Sequence, residues 1–183
     1  MSHRKKLDKI IVVDCECTCW STKEEQGAQC SEIIQIGVCS LNLAAKTIGQ
    51  EASYLIKPKY STVSEYCTAL TGITQKNLKG AMSLFDACNL LMKKFGTRNR
   101  VWSSYGNGDG IKFREDCIKK VADYPFGGHY IDTSLLFHIK YLLNSNISLT
   151  EALKLAGFEF YGTQHNAMYD AYNTAVLLKH LIT

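Results

Sequence analysis

The spacing of apolar residues changes period several times along the chain, and each change marks an element. Residues 9–17, KIIVVDCEC, carry branched apolar side chains on both faces, which predicts a central strand covered on both sides. Residues 31–42, SEIIQIGVCSLN, predict a second strand and residues 49–58, GQEASYLIKP, a third. NLAAKTIG turns the chain between them, and Pro58 ends the run. The polar stretch 61–80 reads as a loop with one short helical turn. In SLFDACNLLMKKFG the period becomes helical, with Leu84, Phe85, Cys88, Leu91, Met92 and Phe95 in register and Gly96 as a stop.

RVWSSYG then predicts a fourth strand, and DGIKFREDCIKKVAD a helix with Ile111, Cys117, Ile118 and Val121 inward. HYIDTS is a short fifth strand and LLFHIKYLL a helix. SLTEALKLAGF opens on a capping box of Ser148 with Glu151 and closes on Gly157, and HNAMYDAYNTAVLLKHLI forms the last helix. Adjacent strands followed by alternating helix and strand predict an α/β fold. Its mixed five-stranded sheet combines an antiparallel meander of three strands with two parallel strands, flanked by helices.

Length and composition narrow the class. A chain of 183 residues builds one sizeable core, so a single domain over 1–183 is expected. The net charge of +4 permits a polyanionic partner without requiring one. IIVV is too short for a signal-peptide core or a membrane span, so no membrane partner and a cytoplasmic location are expected. The eight cysteines then read as free thiols of a reducing compartment. Cys15, Cys17 and Cys19 stand at i, i+2 and i+4, which is not zinc-knuckle spacing, so no structural zinc is expected.

The first strand carries the unusual chemistry. Asp14 and Glu16 are two apart, so both point to one face of it. Burying one unpaired carboxylate is costly, and a second one nearby adds repulsion, so a cation, a basic partner or a raised pKa must compensate. Taken alone, the pair also fits a strand that ends at Val13 with both acids solvated. Asp109 follows the fourth strand in YGNGDG, where an N-cap is the ordinary use of an aspartate. His165 and Asp170 are five apart, about 140° around a helix, so they meet only if His165 lies in the loop before it, with Asn166 as cap. Together, four carboxylates suit two hard divalent cations roughly 4 Å apart, the clamp of phosphoryl transfer. An imidazole, with an unperturbed pKa of about 6.5, suits proton removal from water.

Asp14, Glu16, Asp109, His165 and Asp170, in that order, resemble the DEDDh family of 3′–5′ exonucleases on an RNase H-like fold. EIIQIG resembles that family's second strand and LTGIT its terminal-nucleotide loop; VVDCECTCW with LTGIT is most similar to the Eri-type branch, which trims structured and small RNAs. The resemblance implies a metal-dependent exonuclease using two divalent cations, Mg²⁺ or Mn²⁺, and releasing nucleoside 5′-monophosphates from single-stranded or structured RNA 3′ ends. Asp14, Glu16, Asp109 and Asp170 would hold the metals and His165 would be the general base. Leu70 and Ile73 would stack and wedge the terminal nucleotide, and the backbone of Cys17 and Thr18 would meet its sugar. Gly108 stands where relatives carry an aromatic residue before the third acid, which leaves Tyr105 or Trp20 to supply that contact; Tyr169 stands where many carry a second acid. A DNA-directed exonuclease of the same family and a non-cleaving RNA-binding module are the alternatives.

Overall fold

The computed structural model describes residues 6–183. Its strands are β1 (Lys6–Cys17), β2 (Ile33–Asn42), β3 (Thr47–Leu55), β4 (Arg100–Ser104) and β5 (Tyr130–Asp132). Its helices are α1 (Lys23–Gln26), α2 (Glu65–Thr71), α3 (Leu84–Leu90), α4 (Gly108–Lys120), α5 (Thr133–Tyr141), α6 (Leu149–Leu155) and α7 (Ala167–Ile182). The strands form one five-stranded sheet of order β3-β2-β1-β4-β5. β1, β2 and β3 pair antiparallel, while β4 joins β1 and β5 joins β4 in parallel. This is the mixed sheet that the apolar pattern predicts. Among the described residues no helix is long and apolar enough to cross a membrane.

The doubly apolar pattern of β1 has its cause in two covering layers. Ile10 and Val12 pack with Ala171, Ala175 and Leu178 of α7. Ile11 and Val13 pack with Leu84, Phe95 and Phe113 from the helices on the other face. Asp14 and Glu16 continue the parity of Ile10 and Val12, so they point toward α7. β1 runs on to Cys17, with a register shift after Glu16, so the strand does not end at Val13. α3 continues as a π turn over Leu91–Phe95, and Gly96, at φ 63°, ends it as expected.

α4 turns a different face inward from the one its apolar residues predict. Ile111, Ile118 and Val121 are 52%, 81% and 86% exposed, and of the expected inward set only Cys117 is buried. Gly110, Phe113 and Asp116 are buried with it. Two interactions select this face. Phe113 meets Phe126 edge to face at 5.0 Å. Asp116 accepts the Ile33 N–H at 2.8 Å and pairs with Lys112 at 2.9 Å. Lys120 then reaches Glu32 at 2.8 Å. Glu32 also accepts from the Lys59 and Tyr60 amides and from the Ser61 hydroxyl. Burial raises the Glu32 pKa, but Lys120 and these donors outweigh it and hold the carboxyl at about 2. The network ties α4 to the start of β2 and to the loop after β3.

α7 is seated by the Gln-Ile-Gly of β2. The Ala167 N–H donates to Gln35 Oε1 at 3.1 Å. Gly37 lies so close beneath the first turn that a Cβ there would fall 1.9 Å from the Ala167 carbonyl oxygen. Gly37→Ala should therefore cost about 1–3 kcal/mol through overpacking against rigid backbone. At roughly 2–4 °C per kcal/mol for a chain this long, the melting temperature should fall by several degrees. Gly49 has nothing within 4 Å of such a Cβ, so Gly49→Ala should melt within a degree or so of wild type. Equal melting of the two variants would contradict the close-approach account.

Candidate active site

At the C-terminal end of β1, carboxylates converge from three elements. Asp14 and Glu16 come from β1 and Asp170 from the first turn of α7. Each offers an oxygen, and these atoms lie within 4.8 Å of one another. Asp109, the second residue of α4, stands beside them. β1 outruns its parallel partner, since its pairing with β4 reaches only Val12 with Ser103. Asp109 Oδ1 takes the place of a strand there, accepting the Cys15 N–H at 3.0 Å and the Cys15 thiol at 3.1 Å. The residue at the helix N-cap position is Asn107, whose side chain makes no capping hydrogen bond, so Asp109 lies inside the first turn and does not cap it.

His165 lies in the loop before α7, with φ at 59°, and Asn166 caps the helix by accepting the Met168 N–H at 3.2 Å. The left-handed backbone at a non-glycine residue is uncommon and marks a position held by its surroundings. It brings His165 and Asp170 to one cavity of about 420 Å³, which Gln164, Ser148 and Thr150 also line. The five expected residues thus fall at one end of the sheet.

The electrostatics are those of a site built for a cation. Burial first, then the charges of Asp109, Asp170 and Glu16, push the Asp14 carboxyl well above the usual range. Burial, then Asp170 and Asp109, raise Glu16 to about 7. Burial raises Asp170 to about 6, although the amides of His165 and Asn166 pull the other way. Burial also raises Asp109, against the lowering hydrogen bonds from Cys15. Among the described residues none of the four forms a salt bridge. Hard oxygen donors this close, without a protein cation, fit a divalent metal ion such as Mg²⁺ or Mn²⁺.

The residues expected to meet substrate divide. Leu70, near the end of α2, is 36% exposed. Ile73 is 6% exposed and packs with Ile34, Cys67 and Leu78. Its side chain is committed to the core. The backbone of Thr18 is likewise committed: its N–H donates to the Glu32 carbonyl at 2.9 Å and its carbonyl accepts the Ser31 hydroxyl at 2.7 Å. Thr18 thus holds the strand exit through both main-chain groups. The Cys17 carbonyl accepts the Cys67 thiol at 3.5 Å. Tyr105 braces the α5–α6 connection through its hydroxyl, which donates to the Ile147 carbonyl at 2.9 Å. Trp20 lines a separate cavity of about 350 Å³ with Thr18 and Lys23. Three supporting residues, Cys15, Gln35 and Gly37, are not evident as such in the sequence. Only the QIG of EIIQIG signals any of them.

These shifts make the metal-free protein sensitive to pH. Folded carboxyls with raised pKa keep protons that the unfolded chain has already released, so their contribution to stability is complete only below about pH 4 and is lost progressively until pH has passed about 6 and 7. In chelator, the melting temperature should drop between about pH 5.5 and 8, and Mn²⁺ should restore most of the loss by binding the folded state. Asp170→Asn should melt higher than wild type in chelator at about pH 8 and gain less from Mn²⁺. Identical Mn²⁺ shifts in the two proteins would place the metal elsewhere.

Comparison with known proteins agrees with this geometry. Residues 11–178 match the model of the exonuclease family described as RNase_T. The 3′-5′ exonuclease Snipper of Drosophila melanogaster is 28% identical, covering 94% of this chain and 69% of Snipper. Human ERI1 exoribonuclease 2 is 28% identical over 99% of this chain, which spans only 29% of that protein. The nuclease domain of 3′hExo, a DEDDh family member bound to rAMP, shares the fold with a TM-score of 0.84 at 24% identity, over 96% of this chain and 92% of that one. The match reaches from the second apolar residue of the β1 core to the last buried leucine of α7, and on that extent the chain belongs to the exonuclease family.

Proposed function

We propose that this chain is a metal-dependent 3′–5′ exoribonuclease that works as one catalytic domain and removes nucleoside 5′-monophosphates from RNA 3′ ends. The observation that carries the reading is the convergence of Asp14, Glu16 and Asp170 oxygens within 4.8 Å, beside Asp109 and with His165 on the cavity that Asp170 lines. RNA is favoured over DNA by the exoribonuclease activity named for the ERI1-type relatives. Eight free thiols suit a reducing compartment, and the cytoplasm is part of the reading.

The four carboxylates would hold two divalent cations, Mg²⁺ or Mn²⁺. When bound, such ions polarise a phosphodiester and stabilise charge on the attacking and leaving oxygens. The chain supplies the rest. His165, neutral, takes the proton from the attacking water. The φ of 59° at His165 puts it with Asp170 on the wall of one cavity. Leu70 offers the exposed apolar surface for the terminal base, and the main chain of Cys17, next after Glu16 on β1, would meet the terminal sugar. Ile73 and Thr18 support these positions from beneath.

The test uses 5′-labelled RNA and DNA of one sequence, with Mg²⁺, Mn²⁺ or chelator. RNA should shorten stepwise from its 3′ end, and a 3′-phosphate, chelator or Asp14→Asn should stop it. His165→Ala should slow the reaction by about 10²–10⁴, while Mn²⁺ should still stabilise the folded variant because the four carboxylates remain. Faster loss of DNA would reassign the substrate. Retained RNA binding without any cutting would make this a non-cleaving module.

A further inference from the structure

A groove of about 450 Å³ lies at the far end of α7, against the turn from β2 to β3. Lys46, Lys179 and His180 line it together with Phe158, Tyr172 and the last residue, Thr183, and no Asp or Glu does. Among the described residues neither Lys46 nor Lys179 forms a salt bridge. The catalytic arrangement uses none of these groups.

An aromatic cluster stands beside the groove, on the loop that runs on to His165. The loop from Phe158 leads to His165, and midway along it Tyr161 is 58% exposed. Its ring centroid lies 5.6 Å from that of Tyr169 and 5.2 Å from that of Tyr172, which is itself a wall of the groove. Asn173, buried, pins the arrangement. Its Oδ1 accepts the Tyr161 N–H at 3.0 Å, and its amide donates to the carbonyls of Tyr161 at 2.9 Å and Tyr169 at 2.8 Å. Gly162, at φ 84°, lets the main chain pass the Tyr169 ring, where a Cβ would sit 2.3 Å away. From Asp170 to Lys179 the helix rises about 14 Å and makes about two and a half turns, so a strand joining the two sites would pass around the flank of α7. Stacking faces that lead to unpaired cations are what a single nucleic-acid strand requires: bases stack on the rings and phosphates meet the ammonium groups.

We infer that the Tyr161–Tyr172 face and the Lys46–Lys179 groove form an upstream binding site for the single-stranded RNA whose 3′ end occupies the carboxylate site, taking a base and a phosphate several nucleotides before the scissile bond. The inference rests on the exonuclease reading. Its test compares Tyr172→Ala and a Lys46→Ala/Lys179→Ala double variant with wild type on RNA of three and of twelve nucleotides. KM for the longer RNA should rise roughly tenfold with kcat near wild type, and KM for the shorter should stay unchanged. The double variant should also bind with a log-affinity slope against log salt that is shallower by about 0.7 for each phosphate it no longer neutralises. Binding is read separately by fluorescence anisotropy in the Asp14→Asn background, so the groove is judged even if the wild type cuts nothing. Unchanged anisotropy, equal KM changes on both lengths, or no change on either would overturn the site. So would self-association of the protein that Lys46→Ala abolishes, which would make this face an interface with a second copy. Lys46, in an exposed turn, keeps the test sound if Tyr172→Ala misfolds.

Discussion

Two carboxylates on one face of a covered strand repel each other, and the active end of the protein is arranged around that repulsion. Asp14 and Glu16 share the parity of Ile10 and Val12, so they cannot turn away without moving the core. α7 then brings Asp170 onto the same face and α4 brings Asp109 to its edge. Each added carboxylate raises the others. Buried ionised acids without a basic partner are normally replaced, neutralised or paired. Here the surroundings enforce them: Gln35 and Gly37 fix the start of α7, Cys15 fixes Asp109, and the Glu32–Lys120–Asp116 network fixes both β2 and α4. Glu32, Asp116 and Lys120 satisfy one another's charges, whereas the carboxylates of the site have no basic partner among the described residues.

Much of the site is legible in the sequence because its residue pairs are set by local structure. Asp14 with Glu16 depends on the strand period alone, and His165 with Asp170 depends on where one helix begins. Both are local facts, plain once β1 and α7 are assigned. Sequence pattern fails where tertiary packing chooses. Ile111, Ile118 and Val121 form an apparent inward stripe, but Phe113 against Phe126 and Asp116 against Ile33 rotate α4 to a different face. The partners of Thr18 and Ile73 are of the same kind: the backbone of the first meets Glu32 and Ser31 and the second packs against Ile34, contacts that no local pattern announces. The bond from Cys15 to Asp109 has no sequence signature, because it exists only where β1 outruns β4.

Strain at this end is consistent with chemistry and not with stability. A chain selected for stability alone would place apolar residues at positions 14 and 16 and an ordinary backbone at His165. Stability is drawn instead from the double-sided core of β1 and from small residues, Gly37, Ala167, Ala171 and Ala175, that let α7 lie close to the sheet. The same close docking aligns the outer face of α7, with Tyr169 and Tyr172, beside the His165 loop.

Raised carboxyl pKa values and cation binding are, on this account, two expressions of one electrostatic tension. Calorimetric titration of Mn²⁺ in buffers of different ionisation enthalpy measures it directly, because ligands must be deprotonated to bind a metal. At about pH 6.5, where Glu16 and Asp170 straddle the solution pH, binding should release protons, and the release should fade by about pH 8.5. Binding without proton release across that range would contradict the account.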